Sequence, residues 1–373
     1  MSELKVDKVS PRTGNYVALN TVGMKNIIIN GDMSIAQRGT SATGLGNGDS
    51  GYHTCDRWRF NEVGTVTFEF TQSQSTDVPS GQGFANSLKM DCTTADASLG
   101  SNHVLRIQHR IEGQNLQYLK KGTANAESVT FSFWVKSNKT GTYIVQLYDN
   151  DNNRTISNSY TINSASTWEK KTLTYVGDTT GAFDNDNSES LAIQFYLAAG
   201  TDFNSGTLNT SWNTPNNPDT ATGQVNLADN TANEWYITGV QLEAGTTASD
   251  FEFLPHDVNK NRCLRYYYVH AEGNIKQIAL GGYYNSTYIT CALQFPQEMR
   301  VAPSLVKTTG TNYYGIYRDN TIDDFNDFDN GIQNPTTTSC GMDCTTNVSG
   351  TSGYVGRIIT RNASSLIAFN SEL

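Results

Sequence analysis

The chain has 373 residues, of which 37% are hydrophobic and only 17% charged, and its formal net charge is −10. A net negative chain without clustered Lys and Arg cannot neutralise a phosphate backbone, which excludes nucleic acid as partner. No run reaches the roughly 18 apolar residues that cross a bilayer, and Met1-Ser-Glu-Leu-Lys-Val-Asp7 has no apolar core of a secretory signal, so neither membrane insertion nor a leader is expected. The polarity comes from Asn, Thr, Ser, Gly and Gln, which favour turns and strand edges over helix interiors because their side chains compete for backbone hydrogen bonds. With 19 Tyr and 15 Phe, the composition predicts an all-β protein. Its length suits two β-rich domains.

Residues 1–25 form a separate opening piece, in which Leu4 to Val9 alternates, Ser10-Pro11 turns the chain and Tyr16 to Leu19 makes a second short strand. Strands this short bury no core of their own, so the segment is expected to order on partner chains or a larger particle. Residues 26–255 carry the main domain. Asn26-Ile-Ile-Ile-Asn-Gly-Asp-Met-Ser-Ile35 reads as an opening strand that runs into an Asn-Gly-Asp turn. Val129, Phe131, Phe133 and Val135 share a face; the Ser137-Asn-Lys-Thr-Gly141 turn and Thr142 to Tyr148 then complete the pattern of a β-hairpin. Residues 168–176 and 191–198 repeat the alternation, with Leu191, Ile193, Phe195 and Leu197 together. In the closing segment 234–243, Trp235, Ile237 and Gln241 alternate with Tyr236, Val240 and Leu242. This phasing predicts a two-layer β-sandwich of jelly-roll type.

The loop 201–233 is long for a compact domain and rich in Asn, Thr, Pro and Gly, which marks it as a contact loop with Trp212 at its middle. Pro255-His-Asp257 marks a boundary, and Asp257 or Asn259 is placed to cap a short helix through Leu264. Residues 266–269, 278–280, 288–295, 313–317, 354–359 and 366–369 read as strands of a smaller β-domain spanning 256–373.

Chemistry is sparse. Of six cysteines only Cys340 and Cys344 are close together, without partners at zinc spacing, so buried thiols are expected, with a Cys340–Cys344 disulfide as the alternative. Five histidines are scattered, and no metalloprotease, serine-hydrolase or P-loop motif occurs. Asp149-Asn-Asp151 imitates a calcium loop but has Arg154 where Gly is needed and Tyr160 where a bidentate Glu belongs. Two carboxylates suffice for glycoside hydrolysis, yet the sequence places no pair across a groove. Binding is better supported. With Phe131, Phe133, Val145, Leu147, Ile193 and Phe195 turned to the core, alternation sends Trp134, Gln146, Tyr148, Gln194 and Tyr196 outward. Rings stack on sugar C–H faces while amides bond hydroxyls in both directions. Aromatic surfaces also mark packing against a neighbouring subunit or second domain, and both readings stand.

Asn26-Ile-Ile-Ile-Asn-Gly-Asp-Met-Ser-Ile-Ala-Gln-Arg38, Cys55-Asp-Arg-Trp58, Phe131-Ser-Phe-Trp-Val-Lys136 and Trp235-Tyr-Ile-Thr-Gly-Val-Gln-Leu-Glu-Ala-Gly245 together resemble a domain of bacteriophage tail-fibre and other virion structural proteins. Asn261-Arg-Cys-Leu-Arg-Tyr-Tyr267 is similar to the stretch that often succeeds it, and Glu3 to Gly14 to the N-termini of marine cyanophage fibre-like proteins. The sandwich also resembles carbohydrate-binding modules of jelly-roll type. That second resemblance implies a structural calcium where first and last strands meet, with Asp32 and Glu243 as ligands, although Ser34 stands where such modules have an acidic residue.

The resemblance implies a homotrimeric virion protein, exposed on the particle and attached to other virion proteins through its N-terminal segment. The expectation is a tail fibre or receptor-binding protein that recognises a host surface polysaccharide without catalysis. A capsid decoration or tail adaptor protein is the alternative, and a glycan depolymerase a further one.

Overall fold

A computed structural model describes residues 24–373, so all but the end of the expected attachment segment lies outside the described residues. The first part of the chain forms β1 (Ser41–Leu45), β2 (Gly51–Tyr52), β3 (Arg59–Val63), β4 (Glu69–Ser75), β5 (Ser87–Thr94) and β6 (Val104–Glu112). It continues with β7 (Val129–Ser137), β8 (Gly141–Asp149), β9 (Arg154–Ile162), β10 (Glu169–Tyr175), β11 (Glu189–Ala199), helix α1 (Thr201–Asn204) and β12 (Glu234–Ala244). Sheet one has the order β1-β4-β5-β12-β7-β10 and sheet two β2-β3-β6-β11-β8-β9. Position by position the two orders hold sequence neighbours, such as β5 with β6 and β12 with β11. The chain thus crosses repeatedly between two antiparallel layers, which is a jelly-roll sandwich.

The aromatic interior explains this wiring. Phe131, Phe133, Phe195 and Trp235 are fully buried in one core, with Phe133 and Phe195 edge to face at 5.3 Å. The expected hairpin over residues 129–148 is instead a corner: β7 pairs with β12 and β10, and β8 with β11 and β9. Alternation along both strands is as expected, but facing layers let Phe131 and Phe133 bury against Val145 and Leu147, which a single sheet does not. Ser137 fixes the corner by donating from Oγ to the Glu234 carbonyl at 2.6 Å.

The expected opening strand is also corrected. Residues 26–35 lie against β12 without forming a strand, because asparagine side chains take the backbone bonds. Asn26 Oδ1 accepts from the N–H groups of Ile28 and Leu242, and Asn30 bonds both Ile35 backbone groups. Gly31 sits where a Cβ would stand 2.1 Å from the Val240 carbonyl, so no other residue fits without moving β12. In β12, Gly239 at φ +61° forms a bulge that switches the core-facing phase from Trp235 and Ile237 to Val240 and Leu242.

Helix α2 (His256–Leu264) follows, capped by neither Asp257 nor Asn259; the Asn259 side chain bonds Asp32 and Ser34 instead. Then come β13 (Tyr267–Glu272), β14 (Gln277–Asn285), β15 (Tyr288–Gln294), β16 (Ser304–Lys307) and β17 (Tyr314–Arg318). The last strands are β18 (Thr321–Phe325), β19 (Ile332–Gln333), β20 (Ser339–Cys344), β21 (Val355–Thr360) and β22 (Leu366–Asn370). A three-stranded sheet, β13-β22-β16, and a seven-stranded sheet, β18-β17-β21-β14-β15-β20-β19, enclose a second core around Ile289, Ile316, Met342, Ile358 and Phe369. All six cysteines are buried and free. Cys340 and Cys344 cannot pair, since four residues along β20 span roughly 13 Å.

Charged groups join the two parts. Glu112, at the end of β6, accepts from Arg265 at 2.8 and 2.9 Å and from the Tyr266 hydroxyl. Burial alone raises this carboxyl, but the bonds from Arg265 and Tyr266 outweigh it and hold Glu112 below its ordinary value of 4.5. A depressed carboxyl contributes stability that is present above its unfolded value and lost as pH falls through the folded one. The free energy of urea unfolding is therefore expected to fall below about pH 4.5, and Glu112→Gln to flatten that acid limb. Equal acid limbs in the two proteins contradict this assignment.

Candidate functional site

The outer face of sheet two carries the candidate site, and register builds it. Gln194 on β11 stands opposite Gln108 on β6 and Gln146 on β8. Gln108 in turn opposes Arg59, and Gln146 opposes Ser157, so one polar row crosses five strands. The next row sets Tyr196 opposite Arg106 and Arg106 opposite Asn61. Tyr148 flanks the first row on its other side, opposite Ala192. Each of these outward residues alternates with a core residue, such as Ile107, Phe195 or Leu147.

Hydrogen bonds hold the rows stiff. Arg106 donates to the Tyr196 hydroxyl at 3.1 Å, Tyr196 donates to Gln146 Oε1 at 3.3 Å, and Arg59 donates to Gln108 Oε1 at 3.0 Å. Tyr148 donates to Asn153 Oδ1 at 3.0 Å. Burial and the nearby Arg110 lower the Arg59 guanidinium from its ordinary value. One group is left over. Gln194 is 5% exposed, yet its Oε1 meets no donor among the described residues. That oxygen is itself closed to solvent, so it is a desolvated acceptor beside the hollow and not a group open within it.

The hollow is real. About 300 Å³ is bounded by Arg106, Gln146, Tyr148, Gln194 and Tyr196 on the sheet and by Phe203, Pro215, Asn217 and Thr220 from the 201–233 loop. That volume is at the lower end of small-ligand sites. The loop is fastened to β9, where Ser157 Oγ donates to the Thr220 carbonyl at 3.0 Å and the Thr155 N–H to the Asn213 carbonyl at 2.8 Å. No Asp or Glu lines it.

Four expected residues thus converge here: Gln146, Tyr148, Gln194 and Tyr196. Two do not. Trp134 lies on β7, opposite Lys170 and Thr238, on the far face of the sandwich in sheet one. Alternation gave its direction but not its sheet. Trp212 closes the end of the sandwich, donating from Nε1 to the Val176 carbonyl at 2.8 Å beside Lys121. The contact loop reaches the site through Phe203 and Asn217 instead. Sequence reasoning missed Arg106 and Gln108, although Leu105, Arg106, Ile107 and Gln108 alternate in the same way as β11.

Asp32 and Glu243, the expected calcium ligands, are both engaged in hydrogen bonds. Asp32 Oδ1 accepts from Ser34 and Asn259, and both Glu243 oxygens are taken by Gln241 and Ser249. Among the described residues no three His, Cys, Asp or Glu gather as a metal site. A cation with six to eight oxygen ligands would compete with these bonds, Asp32 Oδ2 alone being free of one among the described residues. Hydrogen bonds of Asn26 and Asn259 join the opening segment to β12 and α2 here.

No protein-family model matches the chain, and no curated protein matches it in sequence. Among solved structures it is similar to the enzymatically active domain of bacteriophage CBA120 tailspike protein 4, at 14% identity and TM-score 0.33 over 59% of this chain. That match spans only 21% of the tailspike chain. The CBM22-2 xylan-binding domain from Paenibacillus barcinonensis is 18% identical over 50% of this chain and 91% of its own, with TM-score 0.26. A family 11 carbohydrate-binding module from Clostridium thermocellum is 11% identical over 56% and 97%, with TM-score 0.28. Likeness this distant says nothing of ligand or activity. The jelly roll rests on its own strand order.

Proposed function

We propose that this chain is a virion surface protein, a tail fibre or receptor-binding protein, whose sandwich binds a host surface polysaccharide without transforming it. The hollow's lining carries the reading: Tyr148 is a partly exposed ring with the amides of Gln146, Gln194 and Asn217 and the Arg106 guanidinium around it, groups that suit a stacked ring and hydroxyls, while Tyr196, 1% exposed, braces the wall. A depolymerase is less favoured because the lining has no carboxyl pair. The site is also uncovered by the second part of the chain, which weighs against a purely structural face. A homotrimer attached through the N-terminal segment would supply avidity to a weak single site, by about 10²–10⁴.

An array of capsular and lipopolysaccharide O-antigen polysaccharides tests this. Wild type is expected to bind a subset and release no reducing ends, and Tyr148→Ala to weaken that binding about tenfold or more, as loss of one stacking ring predicts. Binding to purified capsids with none to any polysaccharide would instead establish the decoration role. Appearance of reducing ends would establish the enzyme.

A further inference from the structure

A larger hollow, of about 1200 Å³, opens on the outer face of the seven-stranded sheet. There Tyr317 opposes Arg357 and Arg357 opposes Leu280, while Thr290 opposes Gly282 and Asp343. The inner face of the same strands, with Ile278, Ile289, Met342 and Ile358, fills the second core. Outward, Leu280, Tyr284 and Val355 are 72%, 71% and 76% exposed, a concentration of apolar surface that marks a binding face. Gly282 and Gly341 leave the floor bare. Asp343, only 4% exposed, takes the Tyr288 hydroxyl on Oδ2, but its Oδ1 has no partner among the described residues. That oxygen is closed to solvent; the polar groups open to an occupant are Arg357, Gln333 and Asn334, which also line the hollow.

Shape selects the occupant. A second copy presenting this same concave face would enclose a void instead of filling it. An extended peptide adds to a free sheet edge, and the central strands here are paired on both sides. From Tyr317 on β17 to Asp343 on β20 the face crosses four strand intervals of roughly 4.8 Å, or about 19 Å. That span suits a linear polyhydroxylated chain, with ring faces on Tyr284, Tyr288, Leu280 and Val355 and hydroxyls on Arg357, Gln333 and Asn334. We propose that this face is a second polysaccharide-binding groove, separate from the one on sheet two. It rests on the reading of the chain as a glycan-binding protein.

The full chain, assayed by biolayer interferometry on immobilised capsular and O-antigen polysaccharides, tests it through Tyr284→Ala and Leu280→Asp, both at exposed positions. Each is expected to weaken polymer binding about 10²-fold, the loss of one of two linked contacts, and combination with Tyr148→Ala to abolish it. Gly341→Phe fills the floor, where a Cβ meets only the Gln333 side chain at 3.3 Å and backbone beyond 3.4 Å, and should act alike. If wild type binds and these variants bind as tightly, the second groove is overturned while the first stands. If wild type binds no polysaccharide, both fall. If Leu280→Asp dissociates an oligomer in sedimentation and leaves polymer binding intact, the face is a protein interface and the proposal is overturned.

Discussion

Replacing Arg57 with Ala is expected to lower unfolding free energy by about 3–5 kcal/mol, the cost of breaking a buried ion pair from one side. The Arg57 side chain is fully buried and pairs with Glu372, itself 5% exposed. Its guanidinium lies 3.5 Å from the centroid of the Tyr266 ring, and it also donates to the Arg110 carbonyl. Burial by itself lowers the pKa of this guanidinium, but Glu372 more than offsets that and keeps it charged. Without Arg57, Glu372 keeps only Arg38, at 3.3 Å. Because the pair ties sandwich to second unit, urea transitions followed by tryptophan fluorescence and by far-ultraviolet circular dichroism should also separate in the variant. A loss under 1 kcal/mol, with coincident transitions, would show that the pair does not couple the two parts.

Gln194→Leu should move stability and affinity in opposite directions. Its Oε1 is desolvated without a partner, a state that costs about 1–3 kcal/mol, so an apolar side chain of similar volume is expected to stabilise the sandwich by about 1 kcal/mol. The same change removes an amide from the lining of the hollow, and polysaccharide affinity should fall about 10–100-fold. Thermal unfolding and titration calorimetry on one preparation read both effects. A residue kept at a cost to the fold is a residue kept for something else. Unchanged affinity would remove this hollow from the binding surface, and lowered stability would show that the amide is satisfied by water.

Alternation made the layers legible. Phe131, Phe133, Ile193 and Phe195 point inward as their spacing requires, and Gln146, Tyr148, Gln194 and Tyr196 point out. Period two tells which side of a strand is buried, but not which strand lies beside it. That is why residues 129–148 read as a hairpin and why Trp134 reads as sharing a face with residues of the other sheet. The β-branched run at Ile27 to Ile29 carries strand propensity, yet Asn26 and Asn30 on either side bond the backbone locally and win. Arg106 and Gln108 stand in a pattern as clear as that of β11. The missing partner of Gln194 has no trace in sequence, since it depends on the register of three strands far apart along the chain.

The strand orders also bear on how the protein must be made. β12 occupies the middle of sheet one and β11 the middle of sheet two. Until those residues leave the ribosome, β5 and β7 on one side, and β6 and β8 on the other, hold open edges with no neighbour to close them. Nascent chains should therefore linger half-zipped and prone to aggregate, and cooler expression or added chaperone should raise the soluble yield.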